Sequence, residues 1–374
     1  MRVLHVIDHM GLGGGQRLVH DLVETRAPDV EASVCALRRR DLPGVAERFA
    51  AAGVPYRTLH WSPSENPLGP LGLRSVIRET RPQVLQLYLE YSTLIGTLAA
   101  LSLLAPRPAV VSLVANDPHR HALLHRWSGR LLAPQVDLHI VLAPTIRDAV
   151  SRAYSMRHRR MELVAPGIPL DRFDRSRADA RKVAEHRGGA RRVIGTMARL
   201  AEQKAIHVLL DATPLLLRDD AATRVLIVGN GPLQHDLERR ADRLGISHAV
   251  TFAGYQEDVV SAYAAMDVFV LPSRDEGYGL VFMEAMAMGV PVVGTRVIGS
   301  KDAVEDGVTG LLVPYEDPPA LAAAVLRILN DAELRHGLCA KAAERAKQSY
   351  SRERFTAQVE GLYRDLAPAR GSGA

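Results

Sequence analysis

Two glutamates eight residues apart, Glu276 and Glu284, have the surroundings that most favour chemistry in this sequence. Between Leu280 and Met288 every residue except Glu284 is apolar, so its carboxylate is expected near a buried surface. A buried carboxylate is costly unless donors hydrogen-bond to it. Those donors are either the hydroxyls of a ligand or, alternatively, a core arginine that would make the glutamate structural.

Glycines separate the two glutamates and open a predicted helix. Gly277 and Gly279 leave the backbone accessible to a ligand, and the helix is expected to end at Gly289. The first N–H groups of a helix are unpaired and favour an anion. Two hydroxyl acceptors beside an anion cradle match a sugar nucleotide, with its sugar, ribose and diphosphate.

Two cations, Arg199 and Lys204, follow a predicted strand at Arg192–Gly195 and precede an apolar helix predicted from His207 to Leu217. Cations on a strand-to-helix loop suit a diphosphate. The alternative is that both are ordinary surface charges.

A glycine-rich turn, residues 11–15, follows the predicted N-terminal strand Arg2–Asp8 and precedes a helix starting at Gln16. This arrangement fits either a phosphate site or a plain tight turn. The Gly-x-Gly-x-x-Gly spacing is absent, which argues against a nicotinamide dehydrogenase.

The first half of the chain is basic. Residues 1–189 carry a net charge of +8 and residues 190–374 a net charge of −3. The basic residues within 116–132 and 152–160 form either solvated helix faces or contacts with anionic lipid headgroups or an anionic acceptor. Aromatic residues are too few for a nucleic-acid surface, and the spacing of His119 and His121 fits no metal site.

Strands and helices alternate along the whole chain, which predicts an α/β protein with two doubly wound parallel sheets in series. We expect one domain at 1–185 and another at 190–349, joined by a charged linker at 172–192 without apolar periodicity. The two cysteines, Cys35 and Cys339, form no disulfide framework, and no signal peptide is evident. A cytoplasmic location is expected, with peripheral attachment to the inner membrane face as an extension.

An ordered set of motifs in residues 190–330 resembles the retaining glycosyltransferases of family four. The set comprises Arg199 with Lys204, IVGNGP at 227–232, FAGY at 252–255, MDVFVLPS at 266–273, EGYGLVFMEAMAMGVPVV at 276–293 and EDGVTGLLV at 305–313. The resemblance implies the GT-B fold, in which two Rossmann-like domains face each other across a cleft. It also implies that the C-terminal helix, 350–366, packs back on the first domain.

The resemblance assigns roles to individual residues. Arg199 and Lys204 would neutralise the donor diphosphate, Glu276 would hold sugar hydroxyls and Glu284 the ribose hydroxyls. The remaining donor-binding residues would contact the sugar and phosphates or the base: Gly13, Gly14, Gly231, Gly254, Tyr255, Gly277, Tyr278, Gly279 and Leu280.

Some positions differ from the family pattern. Asn116 stands where many members carry a histidine that contacts the transferred sugar, and His119 is the other candidate for a sugar or acceptor contact. Lys301 and Asp302 replace a common proline and glutamate, and Ala165-Pro166-Gly167 lacks the usual asparagine of the interdomain turn.

The expected activity is therefore transfer of a hexosyl group, with retention, from a nucleotide diphosphate sugar to a hydroxyl acceptor. No Asp-x-Asp triplet occurs, so neither a metal nor another cofactor is expected. A UDP-sugar or a GDP-sugar would be the donor; a glycan, lipid-linked glycan or metabolite would be the acceptor. A sugar-nucleotide epimerase or phosphorylase of the same fold, and a binding protein without turnover, are the alternatives.

Overall fold

Two parallel β-sheets with helices between successive strands make up the computed structural model, which describes residues 1–11, 13–38, 41–62, 69–103, 106–116, 129–154 and 161–366. The chain divides into two units. The first holds residues 1–167 together with the segment from 352 onward, and the second holds residues 168–351.

The first unit is built on a seven-stranded sheet with the order β3-β2-β1-β4-β5-β6-β7. Its strands are β1 Arg2–Ile7, β2 Glu31–Ala36, β3 Tyr56–Thr58, β4 Val84–Tyr88, β5 Ala109–Val114, β6 Leu138–Val141 and β7 Met161–Leu163. Its helices are α1 Gly14–Glu24, α2 Val45–Ala51, α3 Gly69–Thr80, α4 Glu90–Leu101 and α5 Pro144–Tyr154. All strand pairs are parallel, and every residue of the central strand β4 is buried.

The second unit is built on a six-stranded parallel sheet with the order β10-β9-β8-β11-β12-β13. Its strands are β8 Arg192–Met197, β9 Thr223–Val228, β10 Val250–Gly254, β11 Val268–Leu271, β12 Val292–Thr295 and β13 Leu311–Val313. Its helices are α6 Ala180–Arg187, α7 Ile206–Asp219, α8 Gln234–Arg243, α9 Val259–Ala264, α10 Leu280–Ala287, α11 Ser300–Ala303, α12 Pro318–Asn330 and α13 Ala332–Ser349. The predicted pair of doubly wound α/β sheets is confirmed.

The division between the units falls after Gly167, earlier than the segment 172–192 that the sequence suggested as a linker. That segment contains α6, whose N-cap residue Asp179 accepts a hydrogen bond from the Arg181 N–H. Arg187 at the other end donates to the carbonyl oxygen of Ala265 at 2.8 Å. No residue of α6 is buried, so polar contacts hold this helix and apolar periodicity could not reveal it.

The last helix of the first unit, α14 (Arg352–Leu366), is tied to that unit by polar contacts as well as by buried apolar residues. The hydroxyls of Thr25 and Thr356 are 2.5 Å apart, and the Ala27 N–H donates to Glu360 Oε1 at 3.0 Å. Near the end of α14, Tyr363 donates to the buried Gln86 Oε1 at 2.8 Å.

A histidine is buried in an interior strand of the first sheet. His5 lies on β1 with its Nδ1 2.7 Å from the Tyr88 hydroxyl on β4. Burial, and secondarily the charge of Arg26, lower the pKa of His5 from 6.5 to about 3. His5 is therefore neutral in the folded protein at neutral pH.

This depressed pKa predicts a pH-dependent loss of stability. Below pH 6.5 the unfolded chain binds a proton at His5 that the folded chain binds only near pH 3, so protonation favours unfolding in that window. We expect the His5 contribution to the unfolding free energy to fall by up to ~1.4 kcal/mol per pH unit. Urea unfolding of wild type and His5→Gln at pH 7.5 and 5.5 measures it, with the exposed His235→Gln as control. Parallel pH profiles for wild type and His5→Gln would contradict the prediction.

Candidate functional site

The loop after β11 and the start of α10 form the centre of the candidate site. Gly279 is the N-cap of α10 and has φ 76°, in the left-handed region that favours glycine. A Cβ at this position would lie 2.7 Å from Phe282 Cδ2, so both conformation and space require glycine. The helix predicted between Gly279 and Gly289 is confirmed, and Gly289, with φ 70°, follows its C-terminal end.

Glu276 lies on the loop before α10 and is almost completely buried, with 5% of its surface exposed. The Lys204 Nζ lies 2.6 Å from Glu276 Oε1, and the Ser273 hydroxyl donates to the same oxygen at 2.5 Å. The structure thus pairs Lys204, which the sequence analysis assigned to the donor diphosphate, with Glu276, which it assigned to the sugar hydroxyls. Among the residues that the structure describes, the cationic partner of Glu276 is a lysine and not a core arginine.

Glu284 lies on α10 and is 1% exposed. The Tyr263 hydroxyl on α9 donates to Glu284 Oε2 at 2.8 Å, and the same hydroxyl lies 3.3 Å from the Val281 carbonyl oxygen. A neutral phenol therefore supplies one of the donors that the buried carboxylate needs.

Four successive backbone amides precede and open α10, those of Gly277, Tyr278, Gly279 and Leu280. Within the described part of the chain, no acceptor is recorded for these N–H groups. The Tyr278 ring is buried edge-on against Tyr350, with ring centroids 6.2 Å apart, and burial raises the pKa of its hydroxyl. The Tyr278 side chain is thus held by the protein, and its backbone N–H remains for a ligand.

Arg199 follows β8 and is exposed. Across residues 1–366, leaving out the undescribed segments, it has no ion pair, so its charge is available to an anion. Leu200 beside it donates to the Asn230 carbonyl oxygen at 2.9 Å, which joins the loops after β8 and β9. Gly254, with φ 65°, is the last residue of β10, and the half-exposed Tyr255 follows it. All these residues lie at the carboxyl edge of the second sheet, where doubly wound folds bind ligands.

Gly231 is pressed against the loop that carries Arg199. A Cβ at Gly231 would overlap with the carbonyl group of Leu200, a backbone group that no side-chain rotation can move. We expect Gly231→Ala to displace the two loops and weaken nucleotide binding at least about tenfold. Calorimetric titration with nucleoside diphosphates measures this. Gly337→Ala, on α13 with open space around its Cβ, is the control, and equal affinities in both variants would disprove the close approach.

The remaining predicted residues belong to the first unit. Gly13 is the N-cap of α1 and Gly14 its first residue, after β1, and a Cβ at Gly13 would overlap with the Gln16 side chain. Asn116 is exposed just beyond β5 and lines a cavity of about 80 Å³ together with Ser112 and His139. His119 lies outside the described residues, as does most of the basic segment 116–132.

Sequence analysis missed two residues that hold the glutamates, Ser273 and Tyr263. Ser273 precedes Glu276 by three residues on the same loop, a spacing that allows the short hydrogen bond. Tyr263 is 21 residues from Glu284 and lies on a different helix, so no local pattern indicated it. Among the residues that the structure describes, no group of three or more His, Cys, Asp or Glu side chains could hold a metal ion.

Comparisons with known proteins identify the family of this chain. The family model described as Glycosyltransferase Family 4 matches residues 12–172, and the model described as Glycosyl transferases group 1 matches residues 191–331. The D-inositol 3-phosphate glycosyltransferase of Corynebacterium urealyticum is 36% identical over 266 residues, which cover 68% of this chain and 62% of that protein.

A second relative and a solved structure extend the comparison. The GDP-mannose-dependent alpha-(1-6)-phosphatidylinositol monomannoside mannosyltransferase of Mycolicibacterium smegmatis is 32% identical, with 63% of this chain and 66% of that protein covered. The Anabaena Alr3699/HepE structure in complex with UDP-glucose has a TM-score of 0.84 and 21% identity, with 97% of this chain and 99% of that chain covered.

The two parallel-sheet units, with the candidate site at the carboxyl edge of the second sheet, define a GT-B protein. The chain belongs to the glycosyltransferases of the family-4 type. The aligned segments span less than two thirds of the length of the first two curated relatives, 62% and 58%.

Proposed function

We propose that this protein transfers a hexosyl group, with retention and without a metal ion, from a nucleoside diphosphate sugar to a hydroxyl acceptor. The observation that carries the proposal is the Lys204–Glu276 pair, partly buried, beside four amides that have no acceptor within the described part of the chain. This arrangement offers a cation, a carboxylate and a backbone anion cradle within one loop region, which matches the charges and hydroxyls of such a donor.

Each predicted residue has a role in this proposal. Lys204 and Arg199 neutralise the diphosphate, and the amides of residues 277–280 bind sugar and phosphate oxygens. Glu276 holds sugar hydroxyls and Glu284 the ribose hydroxyls. Gly231, Gly254 and Tyr255 surround the base, and Gly13 and Gly14 are assigned to the diphosphate. Asn116 and His119 are candidates for contact with the transferred sugar or the acceptor.

The chemistry requires the bond between the sugar anomeric carbon and the diphosphate oxygen to break while the acceptor oxygen bonds to the same face. The diphosphate oxygen takes the acceptor proton, and nucleoside diphosphate leaves. Fixed donors on that leaving oxygen contribute about 3–4 kcal/mol each in comparable sites. In this proposal Glu276 positions and polarises the sugar and does not act as a covalent nucleophile; Lys204 and Ser273 hold its Oε1.

The relatives suggest which donors and acceptors to test. The named mannosyltransferase is GDP-mannose-dependent and the Anabaena protein was crystallised with UDP-glucose, so UDP-sugars and GDP-sugars come first. Glycans, lipid-linked glycans and metabolites remain the acceptor classes. We place the activity in the cytoplasm, with peripheral contact at the inner membrane face. No helix in the described part of the chain is long and apolar enough to cross a membrane.

A thermal-shift panel of UDP, GDP and ADP with their sugars tests the donor class. We expect one nucleoside diphosphate and its sugar to raise Tm, and a panel without any shift would contradict the proposal. Acceptor-dependent release of nucleoside diphosphate then separates transfer from the alternatives. A binding protein would show the shift without release, and an epimerase would convert the sugar nucleotide without an acceptor.

A further inference from the structure

A guanidinium that lies over two aromatic rings belongs to the first unit, at residues to which no role is assigned above. Arg38 Cζ is 4.0 Å from the Tyr91 ring centroid and 5.0 Å from that of Trp61. Arg38 follows β2, Trp61 follows β3 and Tyr91 lies in the first turn after β4. Because these strands are parallel neighbours of β1 or of each other, the three side chains converge at the carboxyl edge of the first sheet.

This cluster contains two buried hydrogen-bond donors, Arg38 Nε and Trp61 Nε1, that have no partner among the residues described by the structure. Buried donors in folded proteins nearly always have an acceptor. Two neighbouring donors without one therefore indicate that a bound ligand supplies the acceptor. Within the described residues, Arg38 also lacks any ion pair. Burial raises the pKa of Asp8, which follows β1, to about 6, and the charge of Arg38 partly offsets this rise. The Asp8 carboxylate accepts a hydrogen bond from the Ser92 N–H at 2.7 Å.

We propose that Arg38, Trp61 and Tyr91 form a binding site for an anionic group, a phosphate or carboxylate, carried by the acceptor. The Tyr91 ring fixes the plane of the guanidinium, whose N–H edge then binds two oxygens of the anion. The Trp61 indole N–H supplies a further donor. The identification of the anion's carrier as the acceptor rests on the proposed function, whereas the anion site itself does not.

The chain contains two tryptophans, Trp61 and Trp127, which makes the site directly observable. In a Trp127→Phe background, Trp61 is the remaining tryptophan, and its fluorescence reports on this cluster. Titration with inorganic phosphate is expected to give a saturable fluorescence change. Arg38→Gln should weaken the apparent affinity at least about tenfold, and Arg38→Lys should weaken it less.

The exposed Arg48→Gln on α2 is the matched control and should leave the affinity unchanged. Circular dichroism of each variant establishes whether it is folded. If Arg38→Gln does not fold, the comparison of wild type with Arg38→Lys still tests the proposal. A purely structural stack would give no saturable signal, or the same affinity in wild type and both Arg38 variants, and either result overturns the proposal.

The source of the anion is distinguished by further titrations of the same protein. Glycerol 3-phosphate tests a soluble phosphomonoester, and phosphatidylcholine vesicles with or without phosphatidylglycerol test a lipid headgroup. An Arg38-dependent signal with either supports the site and identifies the source. Because fluorescence does not require turnover, loss of nucleoside diphosphate release with an intact Trp61 signal would refute the proposed function alone. Release without a Trp61 signal would refute the anion site alone.

Discussion

Replacing Glu276 by glutamine is expected to reduce kcat at least about tenfold, because Gln keeps the size and a hydrogen bond from Ser273 but loses the charge that holds Lys204. Lys204→Ala should reduce kcat by a similar factor through loss of the cation on the leaving group. Steady-state kinetics with the donor identified by thermal shift measures both. Glu202→Gln, two residues from Lys204 and highly exposed, is the control.

The stability of these variants gives a second readout. Lys204→Ala leaves a carboxylate with 5% exposure without its cation, so we expect a loss of about 3 kcal/mol in unfolding free energy. The double variant Glu276→Gln/Lys204→Ala should recover part of that loss, since no buried charge remains. Urea unfolding measures the cycle. Turnover at the wild-type level in either single variant would remove that residue from the mechanism.

Replacing Glu284 by glutamine is expected to weaken nucleoside diphosphate binding by about 10-fold to 100-fold. The buried carboxylate loses its charge-assisted hydrogen bonds to the ribose, while the Tyr263 hydroxyl still finds an acceptor. The loss of affinity should raise Kd and KM and change kcat much less, because ribose contacts do not change along the reaction. Calorimetric titration of the variant measures this effect.

Two further variants sharpen the Glu284 test. Tyr263→Phe removes the donor at 2.8 Å and should lower stability and nucleotide affinity together. Glu305→Gln changes a carboxylate with a largely exposed side chain and should leave Kd unaltered. An unchanged Kd for Glu284→Gln would show that the glutamate is purely structural.

Local sequence patterns predicted the elements of the site well. The apolar run after Gly279 and the glycine at 289 defined α10, and the alternation of apolar strands and helices predicted both sheets. These features depend on neighbouring residues, whose spacing the sequence displays directly.

Contacts between distant residues could not be predicted in the same way. Lys204 and Glu276 are 72 residues apart, and their direct pairing depends on how the loops after β8 and β11 meet. The hydrogen bond from Tyr263 to Glu284 likewise depends on how α9 and α10 meet. The helix α6 was missed for another reason, because its contacts are polar and leave no apolar pattern.

A crystal structure with the nucleoside diphosphate that gives the largest thermal shift tests the central claim most directly. The account predicts phosphate oxygens within hydrogen-bond distance of Lys204 and of the amides of residues 277–280, with the ribose hydroxyls at Glu284. A nucleotide bound elsewhere, with the Lys204–Glu276 pair untouched and Glu284 facing only protein groups, would contradict it.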